Sequence, residues 1–123
     1  AGDGPMIRPD ITARRIGHEA QPVVMIDGFH PDPDGLRDHA SRTPFIPALH
    51  QYPGLRASLP DTYLAQVRAT LGTVLRDVFG ATDGANLIDA SFSMVTTEPA
   101  DLTLVQRLPH MDAVEPNRIS LVH

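Results

Sequence analysis

Residues 22–41 read PVVMIDGFHPDPDGLRDHAS, and this stretch predicts a strand followed by a helix. Pro22–Ile26 is a short, continuous apolar run rich in β-branched residues. It ends at Asp27-Gly28, a pair typical of turns, so the sequence predicts a buried strand here. His30-Pro31 then interrupts the pattern and separates this strand from whatever follows.

A short helix is predicted directly after the strand. Asp32 is a residue type that favours the helix N-cap, and Pro33 suits the first helical position because its fixed φ fits a helix. We therefore predict a helix over Pro33–Ser41. Leu36 and Ala40, four residues apart, would form its buried stripe.

The middle of the chain contains a proline-rich stretch and then the clearest helical pattern. Thr43–Pro60 holds four prolines without a regular period, which predicts a long loop that is either functional or a strap over the core. Asp61–Phe79 places apolar residues at helical spacing over five turns. Gly80 is typical of a helix C-terminus. The apolar positions are Tyr63, Leu64, Val67, Leu71, Val74, Leu75, Val78 and Phe79.

Beyond Gly84 the pattern changes to the alternation of strands. Residues 91–96 alternate with period two, Glu98–Asp101 is typical of a turn, and Leu102–Leu108 resumes as a predicted strand. Arg118–Val122 is predicted as a third extended piece. Helices followed by antiparallel strands give an α+β fold class, with the sheet concentrated towards the C-terminus.

Composition excludes several classes of protein. The 123 residues carry 10 basic and 15 acidic side chains, a net charge of -5 that argues against nucleic acid or an anionic membrane as partner. The chain has no cysteine and all its basic residues are arginine, which excludes thiolate metal sites and Schiff-base lysine chemistry. No apolar run is long enough to span a membrane and no signal peptide opens the sequence, so we expect a cytoplasmic protein.

Two His-x-Asp pairs are the candidate chemical groups. On an extended chain, side chains two residues apart project from the same face, so an imidazole and a carboxylate can bind one metal ion. Such pairs are expected by chance in this composition, and local context has to separate them. His30 and Asp32 lie between prolines, and Asp32 already has a structural role as a helix cap. His110 and Asp112 follow a predicted strand and are either a ligand pair or an ordinary solvated pair at a strand end.

A resemblance to a known family favours the second pair. The block Arg107–Ala113, followed by Glu115–His123, resembles the central part of a family of uncharacterised bacterial proteins related to the 2-oxoglutarate/Fe(II)-dependent oxygenases. Val23–Phe29 with the helix after it, and the peptide Tyr52–Ala57, also resemble this family. The resemblance covers roughly residues 20–123.

The resemblance implies a fold, a site and cofactors. The fold would be an N-terminal strand and helices packed on part of a double-stranded β-helix, the cupin-like jelly-roll. His110 and Asp112 match the first two metal ligands, with Fe(II) and 2-oxoglutarate as cofactors and hydroxylation of an unknown small-molecule or peptide substrate as the reaction. Residues 1–20 would be an N-terminal arm, and residues 21–123 the N-terminal portion of the oxygenase-like domain.

Some parts of the family pattern have no match here. The distal histidine ligand and the basic residue that binds 2-oxoglutarate lie on later strands, and we expect His123 to be an ordinary strand or terminal histidine. The sequence would then be a portion of a longer protein, a chain completed by another chain, or a remnant that binds no metal. Open strand edges would favour self-association. Two alternatives to the enzyme stay open: a cupin-like module that binds a metal or small ligand without turnover, and a non-catalytic interaction fragment.

Overall fold

The structure is a computed structural model that describes residues 8–48, 53–108 and 117–123. It is a mixed α+β domain, as the sequence predicted, with two small antiparallel sheets and three helices among the described residues. In chain order the elements are β1 Asp10–Ile16, β2 Gln21–Asp27, α1 Pro33–Ser41, β3 Ile46–Pro47, β4 Leu55–Ala57, α2 Tyr63–Asp77, β5 Phe92–Met94, a 3₁₀ turn Pro99–Asp101 and α3 Leu104–Arg107.

β1 and β2 form a regular two-stranded hairpin. The register runs from Asp10 opposite Asp27 to Ile16 opposite Gln21. Strand β1 lies inside the segment expected to be an N-terminal arm, and the sequence reasoning did not predict it. The prediction of a buried strand over Pro22–Ile26 is right about the strand and wrong about its burial, because alternate residues of β2 are half-buried and exposed. Among the described strands it has one neighbour, and two strands cover too little surface to bury both faces.

Helix α1 begins and ends where the sequence predicted. Asp32 caps it and Pro33 is its first residue. Leu36 and Ala40 lie on its half-buried side, although no residue of α1 is fully buried. The local signals therefore fixed the bounds of this helix, and its packing is shallower than the apolar stripe suggested.

Helix α2 confirms the strongest periodic pattern in the chain. All eight apolar positions are half-buried or buried, with Val67 at 1% and Val74 at 5% exposure. The helix spans Tyr63–Asp77, two residues shorter at each end than predicted, and Gly80 follows it with a φ of 67° that glycine adopts without cost. The amide of Gly80 donates to the carbonyl of Arg76 and that of Ala81 to Leu75, so two terminal carbonyls are satisfied.

The proline-rich stretch contributes two short strands to the second sheet. β4 lies between β3 and β5, both antiparallel to it. Gly54 lies directly before β4 with φ 148°, and a Cβ there would come within 2.7 Å of the carbonyl oxygen of Met94. This close approach of two backbones explains why the turn uses glycine. The stretch Thr43–Pro60, predicted as a long loop, thus contains two short strands.

The C-terminal part departs most from the predictions. The predicted strand Leu102–Leu108 is wrong, because Thr103 and Gln106 form a reciprocal capping box that begins α3 instead. The turn around Pro99 is confirmed, while β5 covers only three residues of the alternating run. Arg118–Val122 forms no strand in the described structure. Within the described residues the strands form no jelly-roll.

The buried core of the described residues is small and centres on α2. Its apolar members are Phe29, Ala57, Val67 and Val74, and the buried polar residue is His30. These residues come from the segment after β2, from β4 and from α2, and the His30–Gln66 hydrogen bond joins the segment after β2 to this helix. No helix in the described part of the chain is long and apolar enough to cross a membrane.

Candidate functional site

His30 is the most deeply buried polar side chain in the described structure, with 4% of its surface exposed. Strand β2 ends at Asp27, and Gly28 turns the chain with φ 71°. Phe29 and His30 then point inward, both buried. A buried imidazole needs hydrogen-bond partners for its ring nitrogens, and the structure supplies them.

Both ring nitrogens of His30 are engaged. Nδ1 accepts a hydrogen bond from the backbone amide of Asp32 at 3.0 Å, and Nε2 lies 2.9 Å from Oε1 of Gln66 on α2. Because a backbone amide only donates, Nδ1 carries the lone pair, and Nε2 therefore carries the proton that it donates to Gln66. This arrangement leaves His30 no free lone pair for a metal ion. The hydrogen bond from His30 to Gln66 holds the segment after β2 against helix α2.

Asp32 is engaged as well. Its Oδ1 accepts from the backbone amide of Gly35 at 3.0 Å, which is the N-cap bond of α1. A Cβ on Gly35 would overlap this carboxylate, so glycine at that position makes room for the cap. The structure thus confirms the prediction that Asp32 caps the helix.

His30 belongs to a cluster of four rings, together with Phe29, Tyr63 and His123. His30 stacks on Tyr63 with centroids 5.7 Å apart, and on His123 with centroids 6.0 Å apart. Phe29 meets His123 edge-on at 5.4 Å. Edge-on and stacked contacts at these separations are favourable for aromatic rings. His123 lies 60 or more positions along the chain from each of the other three members of this cluster.

His123 and Tyr63 share a polar contact at the exposed side of this cluster. The Tyr63 hydroxyl lies 3.2 Å from Nδ1 of His123. Burial lowers the pKa of His123, and the nearby His30 lowers it further. Burial also raises the pKa of the Tyr63 hydroxyl. Both directions favour the uncharged forms, which are the forms that a partly buried ring cluster accommodates at least cost.

A shallow pocket of about 180 Å³ opens beside His30, between α1 and the start of α2. Its lining includes His30, Asp32 and Gln66 together with His39 and Arg42. Arg42 forms an exposed ion pair with Asp38 at 2.8 Å, so it is not an unpaired cation aimed at the pocket. Asp32 adds a negative charge to the same lining. The lining of the pocket therefore contains both hydrogen-bond donors and hydrogen-bond acceptors.

The second His-x-Asp pair, His110 and Asp112, lies outside the described residues. The described part of the chain contains no group of three or more His, Asp or Glu side chains that could hold a metal ion. The structure thus assigns the first pair to structural roles, and the prediction of a metal pair at His110 and Asp112 stays a prediction.

Three neighbours of His30 could not be recognised from the sequence: Tyr63, Gln66 and His123. Tyr63 and Gln66 are one turn apart on α2, and this spacing puts both on the side that faces His30. No local signal connects that turn with residue 30 or residue 123. The expectation that His123 is a strand or terminal histidine without a specific role misses its contacts with Phe29, His30 and Tyr63.

Comparison with known proteins gives a family without an assigned activity. Residues 7–123 match DUF6445, described as a family of unknown function. The chain belongs to this family. No curated protein and no solved structure matches the chain significantly. The described strand–helix segment and the His30 cluster both fall inside the matched range of this DUF6445 protein.

Proposed function

We propose that this DUF6445 protein is an oxygenase-like protein in which His110 and Asp112 hold Fe(II) for 2-oxoglutarate-dependent hydroxylation. The choice of site rests on one observation: the side chains of the first His-x-Asp pair are already engaged in structural hydrogen bonds. His30 has both ring nitrogens hydrogen-bonded and Asp32 caps α1. Of the two pairs in the sequence, the second is the one left for a metal ion.

The chemistry of the second pair suits this proposal. An imidazole and a carboxylate two residues apart are two of the three ligands in the facial triad of non-haem Fe(II) enzymes. The resemblance of residues 107–123, which include this pair, to the oxygenase-related family also supports the proposal. The strand β2 followed by the capped helix α1 matches the arrangement that this resemblance implies.

The described residues do not complete such a centre. No group of three ligands is found among them, so no described side chain is assigned as the third ligand or as the group that binds 2-oxoglutarate. When bound, the metal would supply the oxidising chemistry. The jelly-roll fold remains part of the proposal, and the three-stranded sheet β3–β4–β5 is the described region that it would include. A cytoplasmic location and an unidentified small-molecule or peptide substrate belong to the same proposal.

A second candidate is a module that binds a small ligand without turnover. The pocket beside His30 favours it, because buried His30 and exposed Gln66 both line the pocket and are held in place by the hydrogen bond between them. A ligand in this pocket would need a hydrogen-bond donor for the carboxylate of Asp32, which is part of the lining. The pocket is open and small, which fits a compact polar molecule.

Metal binding by the 123-residue chain tests the proposal. We expect weak Fe(II) binding by anaerobic calorimetry, lost in His110→Ala and in Asp112→Ala and unchanged in the matched control His18→Ala. Two side-chain ligands seldom retain Fe(II) against water, so we also expect no consumption of 2-oxoglutarate by this chain. Binding that survives both substitutions contradicts the assigned ligands.

Turnover separates the two candidates. Succinate formation by a form of the protein in which a third ligand completes the metal site supports the oxygenase, while a complete, Fe(II)-loaded site that forms no succinate across substrate panels contradicts it. Absence of metal binding in the wild-type chain contradicts the assignment of His110 and Asp112 as a metal pair. Chemical-shift changes confined to residues around His30 on adding small polar molecules would locate the second candidate's site.

A further inference from the structure

The outer edge of β1 is the feature that the proposed function leaves unused. All seven residues of β1 are exposed, and in the described structure its one strand neighbour is β2. The strand has no proline and no bulge, and its ladder with β2 is continuous. A long, regular edge of this kind is a template for pairing with another strand.

None of the three charged side chains of β1 has an opposite charge across the hairpin, and two of them, Asp10 and Arg14, lie on the same face of the strand. Asp10 lies opposite Asp27, a like charge, and Arg14 lies opposite Val23. Neither forms an ion pair within the described residues. Asp10, Thr12 and Arg14 share one face of the strand because their positions differ by two. Facing like charges are unfavourable, so this face of the hairpin is electrostatically unsatisfied by itself.

We propose that β1 pairs antiparallel with β1 of a second copy of this chain, in a register centred on Thr12. A two-fold axis normal to the sheet would relate the copies, so Thr12 faces Thr12 of the partner subunit. Asp10 then lies opposite Arg14 of the partner subunit, and the symmetry repeats this pair. The result is a four-stranded sheet in the order β2–β1–β1–β2.

Charge selects this register over its neighbours. A register centred on Ala13 places Arg14 opposite a threonine, and one centred on Ile11 places Asp10 opposite a threonine. A register centred on Arg14 sets two arginines against each other. Centring on Thr12 pairs both unsatisfied charges with opposite charges, and it sets Ile11 against Ala13 on the other face. That face then runs from apolar residues of β1 to Val24 and Ile26 of β2 on each side.

The expected dimer is weak, because pairing two seven-residue edges buries less surface than a stable interface needs. We expect sedimentation equilibrium to detect it with the 123-residue chain at up to about 500 μM, since interfaces of this size class are transient. We expect Arg14→Asp to raise the dissociation constant by about tenfold, because it sets like charges opposite each other at two symmetric positions.

Charge exchange distinguishes this register from a general charge effect. The double variant with Asp10→Arg and Arg14→Asp restores opposite charges, and we expect its dissociation constant to return to within about threefold of the wild-type value. Arg15→Asp, with the same change in net charge on the same strand, is the matched control and leaves dimerisation largely intact. A wild-type chain that stays monomeric, or a double variant as weak as Arg14→Asp, overturns the proposal.

A cysteine introduced at the symmetry axis tests the register directly. The chain has no cysteine, so Thr12→Cys can form only an intermolecular disulfide. Its Cα atoms would lie about 4.5–5.5 Å apart, within the range for a disulfide. Ala13→Cys is the control, because its copies would lie about 7–8 Å apart on the diagonal. Preferential oxidation of Thr12→Cys to a covalent dimer supports the register, and equal oxidation of both variants contradicts it.

Discussion

The β1–β2 hairpin and the 28–32 connection that follows it are neighbours in sequence with opposite characters. The hairpin has seven residue pairs in continuous register and not one fully buried residue. The connection has no regular structure, yet it contains buried Phe29 and His30 and the cap of α1. Regular backbone pairing and burial are therefore separate properties. We expect the stability of this domain to depend on the connection and on α2 more than on the hairpin.

The largest effect is expected at the α2 position that packs against this core. Val67→Asp places a charge where 1% of the side chain is exposed, and we expect a loss of about 4 kcal/mol or more in the free energy of unfolding. Val95 is 83% exposed, so the control Val95→Asp changes stability by less than about 0.5 kcal/mol. Urea unfolding followed by circular dichroism measures both. Equal losses in the two variants would show that the core is not centred on α2.

His30→Ala tests the connection itself. It removes two hydrogen bonds and leaves the Asp32 amide and the Gln66 side chain without a partner, and we expect a loss of about 2–3 kcal/mol. His18 lies exposed in the hairpin turn, and His18→Ala leaves stability unchanged. Gln66→Ala combined with His30→Ala costs less than the two single changes added together, because the residues share one bond. Additive losses would contradict that coupling.

Asp32→Ala removes the cap at the end of the connection. The loss of the Gly35 hydrogen bond predicts a decrease of about 1 kcal/mol in the free energy of unfolding. Asp32→Asn keeps an oxygen acceptor without the charge and retains most of the stability. The midpoint of urea unfolding measures the difference. If Asn is as destabilising as Ala, the charge of Asp32 matters and the cap bond does not.

A substitution in the hairpin is expected to raise the free energy of unfolding rather than lower it. Ala20 has φ 52°, a left-handed conformation that is unfavourable for a residue with a Cβ. Ala20→Gly removes this cost, and we expect a gain of up to about 1 kcal/mol after the greater freedom of glycine in the unfolded chain is counted. Ala13→Gly, in the middle of β1, is the control and lowers stability. Thermal unfolding of both variants distinguishes turn strain from a general effect of glycine in the hairpin.

The smallest expected effect is the pH dependence of stability that arises from His123 in the ring cluster. Because the folded state lowers the pKa of His123, its contribution to stability is present above the ordinary histidine value and is lost as the pH falls below it. We expect stability to decrease slightly from about pH 6.5 downwards, where an unperturbed histidine titrates. His123→Gln removes this dependence, and NMR titration of the His123 ring measures it directly. A His123 ring that titrates at or above its ordinary value contradicts its partial burial.

Local sequence signals predicted the elements whose causes are local. Asp32 followed by Pro33 fixed the start of α1, and the apolar spacing with Gly80 fixed α2. The capping box of Thr103 and Gln106 is also a local signal, and it overrode the alternating pattern that suggested a strand. The short β3 and β4 could not be predicted in the same way, because β4 pairs with β5, which lies far along the chain, and β3 is held only by β4.

By itself, the sequence determined the α+β class, both longer helices, the cap at Asp32 and the exclusion of cysteine and lysine chemistry. These features depend on residues within about one or two helical turns of each other, where the local geometry of the chain alone determines which side chains are neighbours. The tertiary structure decided that His30 binds Gln66, that His123 joins its ring cluster, and that the first His-x-Asp pair is structural. The His30–Gln66 and Tyr63–His123 contacts join positions 36 and 60 residues apart, and only packing on α2 brings them together.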